Sequence, residues 1–126
     1  MATRTVCPIE VPERVSFRYT SILLKEDGTP IVAADLTTFT LTIYALDDNL
    51  TICNGVLGQD ILNVDRGTVS NTGLFVLLLR PADNALVDAT VAAERHVLLI
   101  QATYANGTGA SRHEVEISIR NLAKVV

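Results

Sequence analysis

Apolar and polar side chains alternate along most of this chain. Val15, Phe17, Tyr19 and Leu23 are interleaved with Ser16, Arg18 and Thr20. Phe39, Leu41, Ile43 and Ala45 are interleaved with Thr38, Thr40 and Thr42, a segment rich in β-branched residues. His113, Val115, Ile117 and Ile119 alternate with Glu114, Glu116, Ser118 and Arg120. A period of two places one set on each face of an extended strand, so all three segments are predicted strands. A sustained 3.6-residue period is missing. The punctuation agrees: Asp27-Gly28 before Pro30, Asp47-Asp48-Asn49, Asn54-Gly55 and Asn106-Gly107 are turn sequences. Shorter strands are expected at 50–53, 61–64 and 68–70, and longer ones at 74–80 and 96–105. Only 81–94, PADNALVDATVAAE, carries a helix signal, with Pro81 at a first helical position.

Seven or eight short strands separated by Gly, Asn and Asp turns predict an all-β fold. The expected form is an antiparallel immunoglobulin-like β-sandwich, with at most one short helix near 81–94. The antibody hallmarks are missing: the chain has no Trp, and Cys7 and Cys53 do not bracket one. Residues 1–14 hold Pro8 and Pro12 without clear alternation and read as an extended N-terminal arm. Residues 15–122 then form the sandwich and 123–126 a C-terminal tail.

One segment breaks the alternation. In GLFVLLLRP, residues 73–81, six apolar residues run from Leu74 to Leu79 without a polar break. If Phe75, Leu77 and Leu79 fill a core, then Leu74, Val76 and Leu78 point the other way. Exposed together they would form an apolar patch of the kind monomers avoid. The 81–94 segment, the N-terminal arm or another subunit is expected to cover them.

Composition sharpens this. Of 126 residues 48% are apolar, and the mean hydropathy is +0.33. A spanning helix needs about 20 apolar residues, far more than any run here. MATRTVCPIEVPERV has no secretory apolar core, so both cysteines are expected as free thiols. The surplus apolar residues therefore belong in a core or in protein–protein contacts.

Net charge is −4, unevenly spread. Residues 1–25 carry +2, from Arg4, Arg14, Arg18 and Lys25 against Glu10 and Glu13. Residues 26–65 carry −7, including Asp47 and Asp48, with no Lys or Arg. Phosphate binding needs a concentrated basic surface, so direct nucleic-acid binding is not expected. Neither is a membrane partner. An acidic flank can instead meet a basic flank of a neighbouring copy. The candidate interface is therefore Arg4, Arg14, Arg18, Leu74, Val76, Leu78, Asp47 and Asp48.

Catalytic and cofactor motifs are lacking. His96 and His113 are the only histidines, and no H-x-x-x-H, C-x-x-C or G-x-S-x-G spacing accompanies them. His113 reads as a strand-edge residue. Asp47-Asp48-Asn49 lacks the Gly and bidentate Glu of a calcium loop. The glycines form no phosphate-binding loop. Neither an enzyme nor a bound cofactor or metal is expected. Tyr44 and Tyr104, with loop tips at 47–49, 54–58 and 106–111, leave a glycan-binding or host-surface module as the alternative.

The turns carry a resemblance. Asp27-Gly28-Thr29-Pro30, then Asp35-Leu36-Thr37, then Thr72-Gly73-Leu74-Phe75, then Tyr104-Ala105-Asn106-Gly107-Thr108 precede a final Val115–Ile119 strand. This order, over residues 15–122, resembles the small immunoglobulin-like domains of tailed-bacteriophage virion proteins, in the style of the N-terminal domain of the baseplate upper protein family. The resemblance implies a non-enzymatic structural component of a virion, made in the bacterial host cytoplasm. It would sit at the neck, head–tail connector or baseplate, or decorate the capsid. Its partners would be other virion proteins and copies of itself, the copies closing into a ring or lattice.

Overall fold

A computed structural model describes the backbone of residues 2–25, 27–61, 66–88 and 90–122; the side chains of 2–5, 7–9 and 106 lie outside that description. The fold is all-β. Among the described residues nine strands run in chain order: β1 (Ala2–Pro12), β2 (Phe17–Ile22), β3 (Leu36–Ala45), β4 (Thr51–Ile52), β5 (Gln59–Asp60), β6 (Gly67–Val69), β7 (Leu74–Leu79), β8 (Ala93–Tyr104) and β9 (Gly109–Arg120). The expected strand at 61–64 falls largely outside the described residues.

The strands form two sheets. The larger has the order β1-β9-β8-β3-β4, with β5 also on β3; the smaller has the order β2-β7-β6. β8 and β9 form an unbroken hairpin from Ala93↔Arg120 to Tyr104↔Gly109. Gly109 is required at its tip, because an added Cβ would lie 2.2 Å from the Tyr104 ring. The 81–94 segment is not a helix. It holds one 3-10 turn, Pro81–Asn84, and two more occur at Ala33–Asp35 and Ala105–Gly107. Pro81 starts a helical turn as expected, but Asp83 and Asn84 then turn inward and end it.

The N-terminal arm is also different from expectation. Residues 2–12 form β1, paired parallel with β9 and broken by an irregularity between Val6 and Glu10. Proline has no N–H to donate, which hides such a strand from propensity but is tolerated at a sheet edge. The tail at 123–126 lies outside the described residues.

The core lies between the sheets. Phe39, Leu41, Ile43, Leu98, Ile100, Val115, Ile117 and Ile119 come from the larger sheet, and Phe75, Leu77 and Leu79 from the smaller. Phe39 and Phe75 meet across the gap with ring centroids 5.8 Å apart, edge to face, the arrangement aromatic quadrupoles prefer. Tyr19 of β2 stacks on His113 of β9, its Oη 3.0 Å from Nε2. That contact places β2 over β9. Since β1 lies beyond β9, the larger sheet extends one strand past the smaller on this side.

Candidate assembly surface

The outer face of the smaller sheet is built from alternate residues of two strands. β2 and β7 pair antiparallel, matching Arg18 with Leu78, Thr20 with Val76 and Ile22 with Leu74. The intervening residues Phe75, Leu77 and Leu79 are buried. The period-two geometry therefore turns Leu74, Val76 and Leu78 away from the core. Val76 is half-buried, but Leu74 is 43% exposed and Leu78 47%; beside them Ile22 of β2 is 49% exposed, and Leu24 just past its end 51%. Thr20 and Thr68 complete the face and carry no charge. The described part of 81–94 leaves Leu74 and Leu78 open, and β1 belongs to the other sheet.

Three cations stand at one end of this sheet, where Phe17 pairs with Leu79. Arg18 is exposed beside Leu78; Arg80 follows β7; Arg14 precedes β2 in a left-handed conformation, its N–H bonded to the Asn84 carbonyl at 3.0 Å. The acids closest in sequence are engaged elsewhere. Glu13 accepts from the Leu122 N–H, and Asp83 is buried.

The other candidate residues do not join this face. Asp47 and Asp48 form the turn after β3 on the larger sheet, and Asp47 is already paired with Arg95 of the same chain. The Arg95 guanidinium holds the Asp47 carboxyl below the usual carboxylate range. Asp35 is likewise paired with Lys25, 2.9 Å away. Asp35 and Asp47 of the acidic flank are thus paired within the chain. Arg4 lies on β1 opposite Glu114 of β9; its side chain is outside the described residues.

Two buried polar groups were not foreseen from spacing. His96 Nε2 lies 2.5 Å from Glu94 Oε2, and the Cys53 Sγ is 3.8 Å from both ring nitrogens. The same Glu94 carboxylate accepts the N–H groups of Val87 and Asp88, each at 2.9 Å, and so anchors the loop before β8. A thiol, an imidazole and a carboxylate together have the composition of a nucleophilic site. The environment argues otherwise. All three are buried, and burial, with the Glu94 charge second, pushes the Cys53 thiol up to about 12. A nucleophilic cysteine needs the opposite shift and access for substrate. Among the described residues no cluster of three or more His, Cys, Asp or Glu side chains is arranged to hold a metal ion.

The second group is an ion pair. Arg66 donates to Asp83 from Nε at 2.6 Å and from a terminal nitrogen at 2.9 Å, and Asn54 and the Arg80 N–H donate to the same carboxylate. Burial opposes the Asp83 charge, but these four donors outweigh it and hold the carboxyl below its usual range. The pair ties the 3-10 turn after β7 to the entry of β6.

His113 is not an edge residue, because β9 is flanked by β1 and β8. Tyr104 is buried and cannot serve as a glycan platform, and Tyr44 is only partly exposed on the larger sheet. The one Cys described in full, Cys53, is a free thiol. Comparison with known protein families, curated proteins and solved structures gives no match to this chain.

Proposed function

We propose that this chain is a non-enzymatic structural component of a tailed-phage virion that docks through the outer face of β2-β7-β6. One observation carries the docking: Ile22, Leu24, Leu74 and Leu78 form an aliphatic stripe that the described chain leaves uncovered. Each such side chain gains about 1.5–3 kcal/mol on full burial, so half-burying four of them forgoes several kcal/mol unless a neighbour supplies the rest.

The immunoglobulin-like reading is supported by strand order. β9-β8-β3 opposite β2-β7-β6 corresponds to the G-F-C and B-E-D arrangement of such sandwiches. The departure is β1, which joins the last strand in parallel instead of pairing with β2. The virion assignment rests on the turn-by-turn resemblance to phage immunoglobulin-like domains, and position at the neck, head–tail connector or baseplate follows from that resemblance.

Area decides how the stripe is used. Two strands of six residues and one of three, about 4.8 Å apart at ~3.4 Å per residue, present roughly 250 Å². A stable interface buries about 800 Å² per partner. The face alone is too small for a tight isolated pair, and suits a contact repeated in an assembly, where linked weak contacts add.

Electron microscopy of purified tailed particles carrying gold-labelled protein tests the proposal. Label at one fixed level of the particle is expected, and Leu78→Glu should remove it while the isolated protein stays folded. Abundant labelled protein in the lysate with none on particles would overturn the virion assignment. Retention of the Leu78→Glu label would overturn the use of the stripe.

A further inference from the structure

The smaller sheet has an open edge as well as an open face. Leu78 donates its N–H to the Arg66 carbonyl at 2.7 Å, and the Leu74 carbonyl accepts from Ser70 at 2.8 Å. Backbone groups at Leu74, Val76 and Leu78 therefore point toward β6, and those of Phe75, Leu77 and Leu79 toward β2. Antiparallel pairing fixes the rest. Phe17, Tyr19 and Ser21 direct their N–H and C=O groups to β7. Arg18, Thr20 and Ile22 direct theirs away from it, and among the described residues β2 pairs with no strand but β7.

The other sheet edges are blunted. β6 has three residues, and β4 and β5 have two each. β1 carries Pro8, Pro12 and an irregular register. Short strands, prolines and irregularities are devices that stop a further strand from adding. β2 has six residues, no proline and a regular register. Its inward residues Phe17, Tyr19 and Ser21 remain partly exposed, since no strand lies beyond them.

We propose that the free edge of β2 binds an extended segment of a partner polypeptide as an additional strand, with carboxylates at the end that lies beside Arg14 and Arg18. This deepens the docking reading above and rests on it for the stripe alone. Three features select the occupant. The overhanging β1 leaves a shelf one strand wide beside β2, which admits a single strand. It excludes the β2 edge of a second copy, because that copy's own larger sheet would need the same space. The described end of the face has the exposed Arg14 and Arg18, while Glu13 and Asp83 are engaged within the chain, which favours carboxylates. The stripe of Ile22, Leu74, Val76 and Leu78 continues outward to alternate apolar side chains of an added strand. This is strand addition, with backbone bonds giving affinity and side chains giving preference.

The test uses the intact chain and a synthetic peptide of about ten residues, alternating Val and Thr with two Glu at one terminus, a length matched to a typical strand. Amide exchange by NMR should show new protection at the N–H groups of Arg18, Thr20 and Ile22. Replacing the two Glu by Lys should weaken binding about fivefold, the scale of exposed charge pairs. N-methylation of alternate peptide amides should abolish it without touching the protein. Thr20→Pro should do the same, because the lost N–H points away from β7. Peptide binding without protection of these three amides, or undiminished by N-methylation, overturns the proposal. So does a Thr20→Pro-sensitive dimer in sedimentation, or binding to phosphatidylglycerol vesicles in place of peptide. The two readings fail separately: Leu78→Glu losing particle docking while Thr20→Pro keeps it would leave the face reading standing and remove the edge.

Discussion

Leu77 and Leu78 are consecutive in β7 and face opposite worlds: Leu77 is fully buried between the sheets, and Leu78 stands beside Arg18 on the exposed face. Truncation separates their roles. Leu77→Ala removes core contacts and should cost about 2–5 kcal/mol of folding stability. Leu78→Ser should stay within about 0.5 kcal/mol of the parent, as surface changes do. Urea denaturation of both variants checks this. A large loss for Leu78→Ser would mean that the residue packs on its own chain.

The Arg66–Asp83 pair should be the most sensitive polar contact in the molecule. Arg66→Met leaves a buried carboxylate with its main donors gone, and such half-pairs cost about 3–5 kcal/mol. Replacing both residues, Arg66→Met with Asp83→Leu, should recover a substantial part of that loss, because no charge is then stranded. Denaturation midpoints of the two singles and the double form the cycle that measures it. The pH dependence has a definite sign. A carboxyl depressed in the folded state contributes stability present above its unfolded value, about 3.9, and lost as pH falls through the folded one. Acid should therefore destabilise the parent in the window below the ordinary carboxylate range, and the double variant less.

Leu50 occupies a backbone conformation that suits glycine. Asn49 and Leu50 have φ of 53° and 58°, and the Thr51 N–H closes the turn on the Asp48 carbonyl at 3.0 Å. Two left-handed residues in a hairpin make a type I′ turn, whose second position favours Gly. Leu50 is also largely exposed, so its side chain contributes little packing. Leu50→Gly should raise stability by up to about 1 kcal/mol, read as a higher melting temperature. A fall would show that the side chain makes a contact worth more than the strain.

These positions also show what the sequence could and could not convey. Alternation in β3 and β9 was legible because one face of each strand is buried and the other is not. Leu74–Leu79 announced an apolar outer face because no alternation was left to hide it. β1 was obscured by Pro8 and Pro12, which suppress strand propensity yet suit an edge. Asp83 and Asn84 read as turn formers on composition, and their burial depends on Arg66 and Val15, distant in the chain. Cys53, Glu94 and His96 meet because β4 and the start of β8 flank the end of β3 on the same sheet, a relationship that local spacing does not encode. The open edge of β2 follows from β1 choosing β9, a decision of tertiary pairing.

His113 supplies a further pH prediction. Burial lowers its pKa below the ordinary imidazole value, and its Nε2 is hydrogen-bonded with the Tyr19 hydroxyl, 3.0 Å away. Protonation would place a charge on a ring withdrawn from water. A histidine whose folded pKa is depressed binds fewer protons folded than unfolded, so stability rises with pH up to the unfolded value, near 6.5. It is lost as pH falls from there through the folded pKa. Tyr19 and Phe75, which pack against the ring, bear no charge near neutral pH. His113→Phe should therefore flatten the stability profile below the unfolded imidazole value, near 6.5, and Tyr19→Phe should leave its slope in place while removing the hydrogen bond. Chemical denaturation across that range reads both. A parent whose stability is level through the same window would show that the ring is reached by water and that β2 does not seal the core at this edge.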